Sequence, residues 1–252
     1  MSNPIKRPLR GFTLLELLVS IALLGMVVGL VYTAFFQLSG ATRGVQNTLS
    51  ARQELRLLMK MVLDDLQAVR YLKHWAAAGK DKDRVSGLNV RQQQGPNNED
   101  SGILSMHAAV PAKFYEFDKN SAVGDPELHE IGYFLEYDAG EQIWKFMRRE
   151  DFYLDDEFTE GGKRQVLSRR VRKFIVELRV AEKEAAFGGG FTDLWESVWP
   201  AQTHDCVTNK NVGCLPLAVK LTMGIGLSED ETLEQTQEMN LTVRPLNTEL
   251  FK

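Results

Sequence analysis

The sequence predicts an α+β chain: one long N-terminal helix followed by a domain built on an antiparallel β-sheet. Three observations predict it. From Phe12 to Leu38 the only ionisable residues are Glu16 and the phenol of Tyr32. No proline interrupts Phe12 to Arg70, and apolar residues keep helical spacing through most of that stretch. Beyond Ile103 the apolar residues alternate instead, which is the period of strands. A helix first and strands afterwards means segregated layers, not an alternating parallel fold.

The chain opens with a basic leader containing Lys6, Arg7 and Arg10. The apolar run that follows is about 40 Å long as a helix, more than the roughly 30 Å of bilayer hydrocarbon. It is too long for an ordinary secretory signal, and its small-residue stretch Ala22 to Gly25 lies inside the run instead of ending it. By the positive-inside rule the leader charges place the N-terminus in the cytoplasm and the bulk of the chain outside the inner membrane. A carboxylate deep in hydrocarbon costs about 2.5 to 3.5 kcal/mol, so Glu16 calls for a cation.

The stretch Arg10-Gly11-Phe12-Thr13-Leu14-Leu15-Glu16 resembles the class III signal of type IV prepilins and type II secretion pseudopilins. In that family the leader ends in Gly, Phe usually follows, and a Glu stands fifth after the cut; Gly11, Phe12 and Glu16 fit all three. The resemblance implies that residues 1–11 are a leader, removed between Gly11 and Phe12 by an aspartyl prepilin peptidase in the membrane, with N-methylation of the new Phe12 amine. That amine is the missing cation. Phe12 and Glu16 stand at i and i+4 and pair within one helix, or Glu16 of an incoming subunit neutralises Phe12 of its neighbour and sets the axial register. Phe12 and Glu16 are therefore the expected docking residues.

Residues 12–38 read as the transmembrane half of the helix, 39–75 as its periplasmic half and 76–252 as a β-rich periplasmic domain. In the second half Val45, Leu49, Leu55, Met59, Val62, Leu66 and Val69 form a stripe, with Arg56, Lys60, Asp64 and Asp65 mostly off it. The core is the expected role for this stripe from Leu55 to Val69, and partner contact the alternative. Gly25, Gly29, Gly40 and Gly44 are spaced four apart within each pair, which suits close helix approach in lipid. For Gly40 and Gly44 a flexible joint is the other reading.

Arg91 to Gly102 has no apolar side chain to bury and reads as a mobile loop. Ile103 to Val110 and Lys113 to Phe117 are strand candidates split by Pro111. His129 to Tyr137 and Gln142 to Arg149 read as a hairpin, with Gly140 available for positive φ in the turn. Val166 to Val180 reads as one longer strand region, and the glycines of Ala185 to Phe191 as a break. Leu215 to Leu227 is the clearest strand, with Glu238 to Val243 as its partner.

The order Trp195-Glu196-Ser197-Val198-Trp199-Pro200, Leu215-Pro216-Leu217-Ala218-Val219-Lys220-Leu221 and a last strand ending at Arg244-Pro245 resembles the J-type minor pseudopilin of type II secretion. Leu57 to Val69 and the hairpin ending in Met147-Arg148-Arg149 share the resemblance. It implies a pilin-like subunit that joins the I, K and H minor pseudopilins at the tip of a short periplasmic filament. There it primes assembly of the major, G-type pseudopilin on an inner-membrane platform and supports export through the outer-membrane secretin. A minor type IV pilin for adhesion, motility or DNA uptake is the alternative within this architecture. A membrane-anchored periplasmic enzyme is the alternative outside it.

Cys206 and Cys214 close a short loop in a compartment that permits oxidation, so a disulfide is expected in preference to two free thiols. With His204 they fall short of a four-ligand zinc site. No phosphate loop, paired metal histidines or serine elbow is present, and the four histidines are scattered, so no catalytic residue and no cofactor is assigned. Asp151, Asp155, Asp156 and Glu157 are weak calcium candidates whose spacing matches no EF-hand; a solvated acidic loop is the preferred reading. The chain carries a net charge of -4, and loss of Lys6, Arg7 and Arg10 takes it to -7. That balance argues against general nucleic-acid binding, despite the basic run Lys163-Arg164, Arg169-Arg170 and Arg172-Lys173.

Overall fold

The structure, a computed structural model, describes residues 13–70, 87–111, 128–152, 160–180, 194–199, 215–216, 218–227 and 236–243. It divides into two units, residues 1–49 and 50–252. Helix α1, Leu14–Gln67, is continuous in sequence across the boundary, and Gly40 and Gly44 are helical within it. In the first unit its side chains are almost all exposed, including Leu14 to Leu38.

In the second unit the last third of α1 packs on β-strands through Ala51, Leu55, Leu58, Met59, Val62 and Leu66. This is the expected stripe from Leu55 onward, acting as core. The helix ends sooner than the exit expected after Trp75. Ala68 closes the last turn, Val69 pairs antiparallel with Ala108, and the Arg70 N–H donates to the His107 carbonyl at 2.8 Å. Once those backbone groups bond to a strand they cannot continue a helical ladder.

Strands follow in two antiparallel sheets where one was expected. The first holds β1 (Leu88–Gln94), β2 (Asp100–Ala108), β3 (His129–Asp138), β4 (Ile143–Asp151) and β5 (Lys163–Ser168), side by side in chain order. The second holds β6 (Val171–Val180), β7 (Leu194–Glu196), β8 (Ala218–Gly226) and β9 (Thr236–Val243), in the order β7-β6-β8-β9. Both contribute to one core, with Leu104, Ile131, Tyr133 and Phe146 from the first sheet and Phe174, Val176, Val219 and Leu221 from the second. The sheets touch where β2 passes β6. A Cβ at Gly102 would lie 2.9 Å from Val176 Cγ2, so only glycine lets the strands come this close.

Three local expectations are corrected. The expected mobile loop from Arg91 to Gly102 is the end of β1, a 3-10 turn at Pro96–Asn98 and the start of β2. Its polar side chains belong to an edge strand whose stability comes from backbone pairing, Arg91 with Ile103 and Gln93 with Ser101. Asn97 and Asn98 supply the positive φ of the turn, a conformation Asn tolerates. In the β3–β4 turn the positive φ falls on Gln142, not Gly140, because Asp138 Oδ1 accepts the Gly140 and Glu141 N–H groups and fixes the first half of the turn.

The single strand expected over Val166 to Val180 is two strands in different sheets. The chain crosses at Arg169-Arg170, where the Arg170 N–H donates to Ser168 Oγ at 3.0 Å and its guanidinium donates to the carbonyls of Gly226 and Leu227. Val219, Leu221, Met223 and Ile225 on β8 are fully buried as their alternation predicts. The register sets Met239, Leu241 and Val243 of β9 opposite three of them, Met223, Leu221 and Val219. Lys113 to Phe117 and Ala185 to Phe191 lie outside the described residues.

Candidate functional site

Two places concentrate polar groups against an apolar setting. The first is the start of α1. Thr13 caps it: the Glu16 N–H lies 3.3 Å from Thr13 Oγ1 and 3.1 Å from the Thr13 carbonyl, and the Leu17 N–H lies 3.2 Å from the same carbonyl. Thr13 and Glu16 form the T-x-x-E spacing of a capping box, a signal present in the sequence and passed over there. Glu16 thus sits in the first turn, where the helix dipole favours a carboxylate.

From Leu14 onward the helix is apolar all round rather than striped. Its best 18-residue window has a mean hydropathy of 2.6 and no share of it is buried. A helix with that surface suits lipid, where every backbone group is satisfied within the helix. The serine and threonine hydroxyls are satisfied too. Ser20 donates to the Glu16 carbonyl at 2.7 Å and Thr33 to the Gly29 carbonyl at 2.5 Å. Gly25 and Gly29 leave notches that, apart from the helix's own backbone, nothing among the described residues approaches within 4 Å. Gly11 and Phe12 lie outside the described residues, so the expected Phe12–Glu16 pair does too.

The second place is inside the domain. Asp65, expected off the stripe, is fully buried. Its Oδ2 accepts from Tyr133 Oη at 2.5 Å, Arg148 Nη2 at 2.9 Å and Arg148 Nε at 3.2 Å, while Arg148 Nη1 donates to Glu150. Arg148 also lies 5.7 Å from the Tyr133 ring centroid. Strand pairing assembles the group, because Tyr133 on β3 sits directly opposite Arg148 on β4. Burial, followed by the negative charge of Asp65, pushes the Tyr133 phenol well above its usual range. The arrangement binds the helix to the sheet by charge and hydrogen bonds at one defined register.

The opposite face of β3 and β4 carries a second buried group. Arg149 Nη2 lies 3.4 Å from Glu130 Oε2, and His107 Nε2 lies 3.5 Å from Glu130 Oε1. The Gly87 N–H donates to His107 Nδ1, which leaves the ring proton on Nε2, toward Glu130. Arg149 passes over Gly132, where a Cβ would stand 3.2 Å from Nε. Burial pulls the Arg149 guanidinium below its usual value, with Glu130 and Asp151 opposing. Sequence reasoning missed both groups: there Arg148 and Arg149 stand at the end of a hairpin, and Asp151 in a solvated acidic loop.

The basic run separates. Arg164 pairs with Glu136, Arg169 with Glu141 and Arg170 with Glu54. These charges are spent on neighbouring carboxylates and do not form one cationic face. Of the acidic candidates only Asp151 lies within the described residues. It is nearly buried, so close to the next loop that a Cβ at Gly161 would stand 2.6 Å from Oδ2. Asp155, Asp156 and Glu157 lie outside the described residues, as do Cys206, Cys214, His74 and His204. His107 and His129 are fully buried, the latter 5.1 Å from the Phe152 ring.

Residues 6–32 match a family described as the prokaryotic N-terminal methylation motif. No curated protein matches the chain.

Proposed function

Starting from a chain whose residues 6–32 carry the prepilin-type motif of pilin- and pseudopilin-like proteins, we propose that it is a minor pseudopilin of type II secretion, of the J type. The motif implies processing by a prepilin peptidase and assembly with other pilin-like subunits. In the proposed role the subunit joins the I, K and H types at the filament tip, primes the G-type major subunit and supports export. Its work is structural, with no catalytic step. Supporting this are a helix apolar on all sides, a capped first turn that carries Glu16, and a β-rich second unit whose buried charges are spent on one another.

The observation that carries the reading is Glu16. It is an acidic residue three positions after the helix cap, in an apolar segment where Ser20 and Thr33 already have backbone partners. The test is a pair of variants in a producing bacterium. Gly11→Glu is expected to block conversion to the shorter form, and Glu16→Val to be cut normally yet fail to restore export. Normal cutting of the first, or full export with the second, overturns the proposal. Loss of pilus retraction or DNA uptake with export intact would move the chain to a type IV pilus.

A further inference from the structure

We propose that Arg43, with Gly40, Phe36 and Tyr32 on the same face of α1, forms a site that takes the phosphate of a membrane phospholipid and fixes how deep the helix sits. The inference rests on the membrane-anchoring reading above and adds the ligand and the residues that hold it. Arg43 is the one lysine or arginine between Arg10 and Arg52, and Glu16 is the one carboxylate in that stretch. It is exposed and makes no ion pair or hydrogen bond among the described residues. A single cation just past a lipid-facing run is placed to meet an anion at the membrane surface.

Helix geometry sets the depth. Leu14 to Phe36 measures about 33 Å along the axis, and the common tilt of about 20° fits that length to roughly 30 Å of hydrocarbon. Tyr32 and Phe36 then stand near its far end with ring centroids 4.5 Å apart, where aromatic rings favour the boundary with water. Gly40 follows about 6 Å beyond Phe36, inside a headgroup layer about 5 to 7 Å thick on each side. Arg43 is two turns past Phe36, and helical side chains lean toward the N-terminus, here toward the membrane. Its guanidinium has the reach to come back over Gly40, where a Cβ would meet nothing within 4 Å apart from the helix's own backbone. The fork of an arginine matches two phosphate oxygens. A free phosphate ion would use Arg43 alone, whereas rings two and three turns below it call for the acyl chains of the same molecule.

The test reconstitutes the full chain in vesicles of phosphatidylethanolamine and phosphatidylglycerol that carry a trace of photoreactive phospholipid, and maps the adducts by mass spectrometry. A photoreactive group on the headgroup should label the chain at Gly40 to Arg43, and one in the middle of the acyl chain should label it below Phe36. Arg43→Glu should lower the headgroup adduct at least about fivefold and leave the acyl adduct, while Arg43→Lys keeps both. Circular dichroism confirms that each variant retains its helix. A headgroup adduct centred elsewhere, a yield unchanged by Arg43→Glu, or a yield competed away by millimolar inorganic phosphate overturns the inference. So does a photo-crosslinking amino acid at position 39 that, in the producing bacterium, captures another protein in place of phospholipid. The acyl adduct reports membrane anchoring by itself, so anchoring can hold while the headgroup site fails.

Discussion

Removing the Asp65 carboxylate should be the most damaging single-atom-scale change in the domain. Asp65→Asn keeps the size of the side chain but deletes the charge facing Arg148, and replaces an acceptor by a donor toward Tyr133 or Arg148. Arg148 is then a buried guanidinium that keeps Glu150 as a carboxylate partner. Breaking one partner of a buried pair costs about 3 to 5 kcal/mol when the other charge is left uncompensated, and because Glu150 still faces Arg148 the lower figure applies. The second unit spans residues 50–252, a size at which about 1 kcal/mol moves the melting temperature by about 2 to 4 °C. A fall of roughly 6 to 12 °C follows.

The assay is thermal unfolding of the full chain in detergent, followed by near-ultraviolet circular dichroism, with Leu57→Ala as the exposed control. That control is expected to change stability by no more than about 0.5 kcal/mol. Replacing Asp65 by Leu and Arg148 by Met together should recover part of the loss, since neither charge then stands alone. Recovery stays incomplete because Glu150 loses its guanidinium. If Asp65→Asn melts within 2 °C of the parent, counted on the same scale of about 2 to 4 °C per kcal/mol, the pairing of Asp65 with Arg148 does not hold the helix to the sheet.

Two further perturbations probe the turns. The Asp138 carboxyl is held down at about 2, first by its hydrogen bond from Lys145 and then by the Glu141 and Gly140 N–H groups, against an ordinary value of 3.8. A depressed carboxyl stabilises the fold above its unfolded value and loses that effect as pH falls, so the β3–β4 turn should weaken between about pH 4 and 2. Protection of the Gly140 and Glu141 amides, measured against their intrinsic exchange rates, should fall over that window, and Asp138→Asn should abolish the pH dependence of that protection. Gly162 has φ +65 and a Cβ there would stand 2.4 Å from the Glu150 carbonyl oxygen. Gly162→Ala should therefore cost about 1 to 3 kcal/mol in denaturant melts, and an unchanged midpoint would place the β4–β5 connection elsewhere.

The helix, the β3–β4 hairpin and β8 were legible because each turns one apolar face to the core, and that face writes its period into the sequence. β1 was not legible. Beyond the buried Leu88 and Val90 it is an edge strand held by backbone bonds, which leave no mark on side-chain composition, and Arg91, Gln92 and Gln94 face solvent. The break at Arg169-Arg170 was hidden because apolar residues resume on both sides and the corner is made by Ser168, Glu54 and two carbonyls distant in sequence. Asp64 and Asp65 are adjacent and alike, yet one is exposed and the other fully buried. What separates them is Arg148, 83 residues away, and no local pattern carries that information.

The same contrast bears on Glu16. Inside the domain Asp65, Glu130 and Glu150 each face a guanidinium, as the cost of an isolated buried charge demands. Glu16 lies in a segment at least as apolar, with Thr13 satisfying its backbone and no cation within salt-bridge reach among the described residues. The cap explains why a helix can start there, but a capping role needs only a polar side chain at this position. Asp or Gln in place of Glu16 therefore separates the two roles. Gln preserves the capping geometry and removes the charge, so helix content should survive while assembly is lost. Assembly that survives Glu16→Gln would leave the capped turn, and not the charge, as the reason an acid stands at that depth.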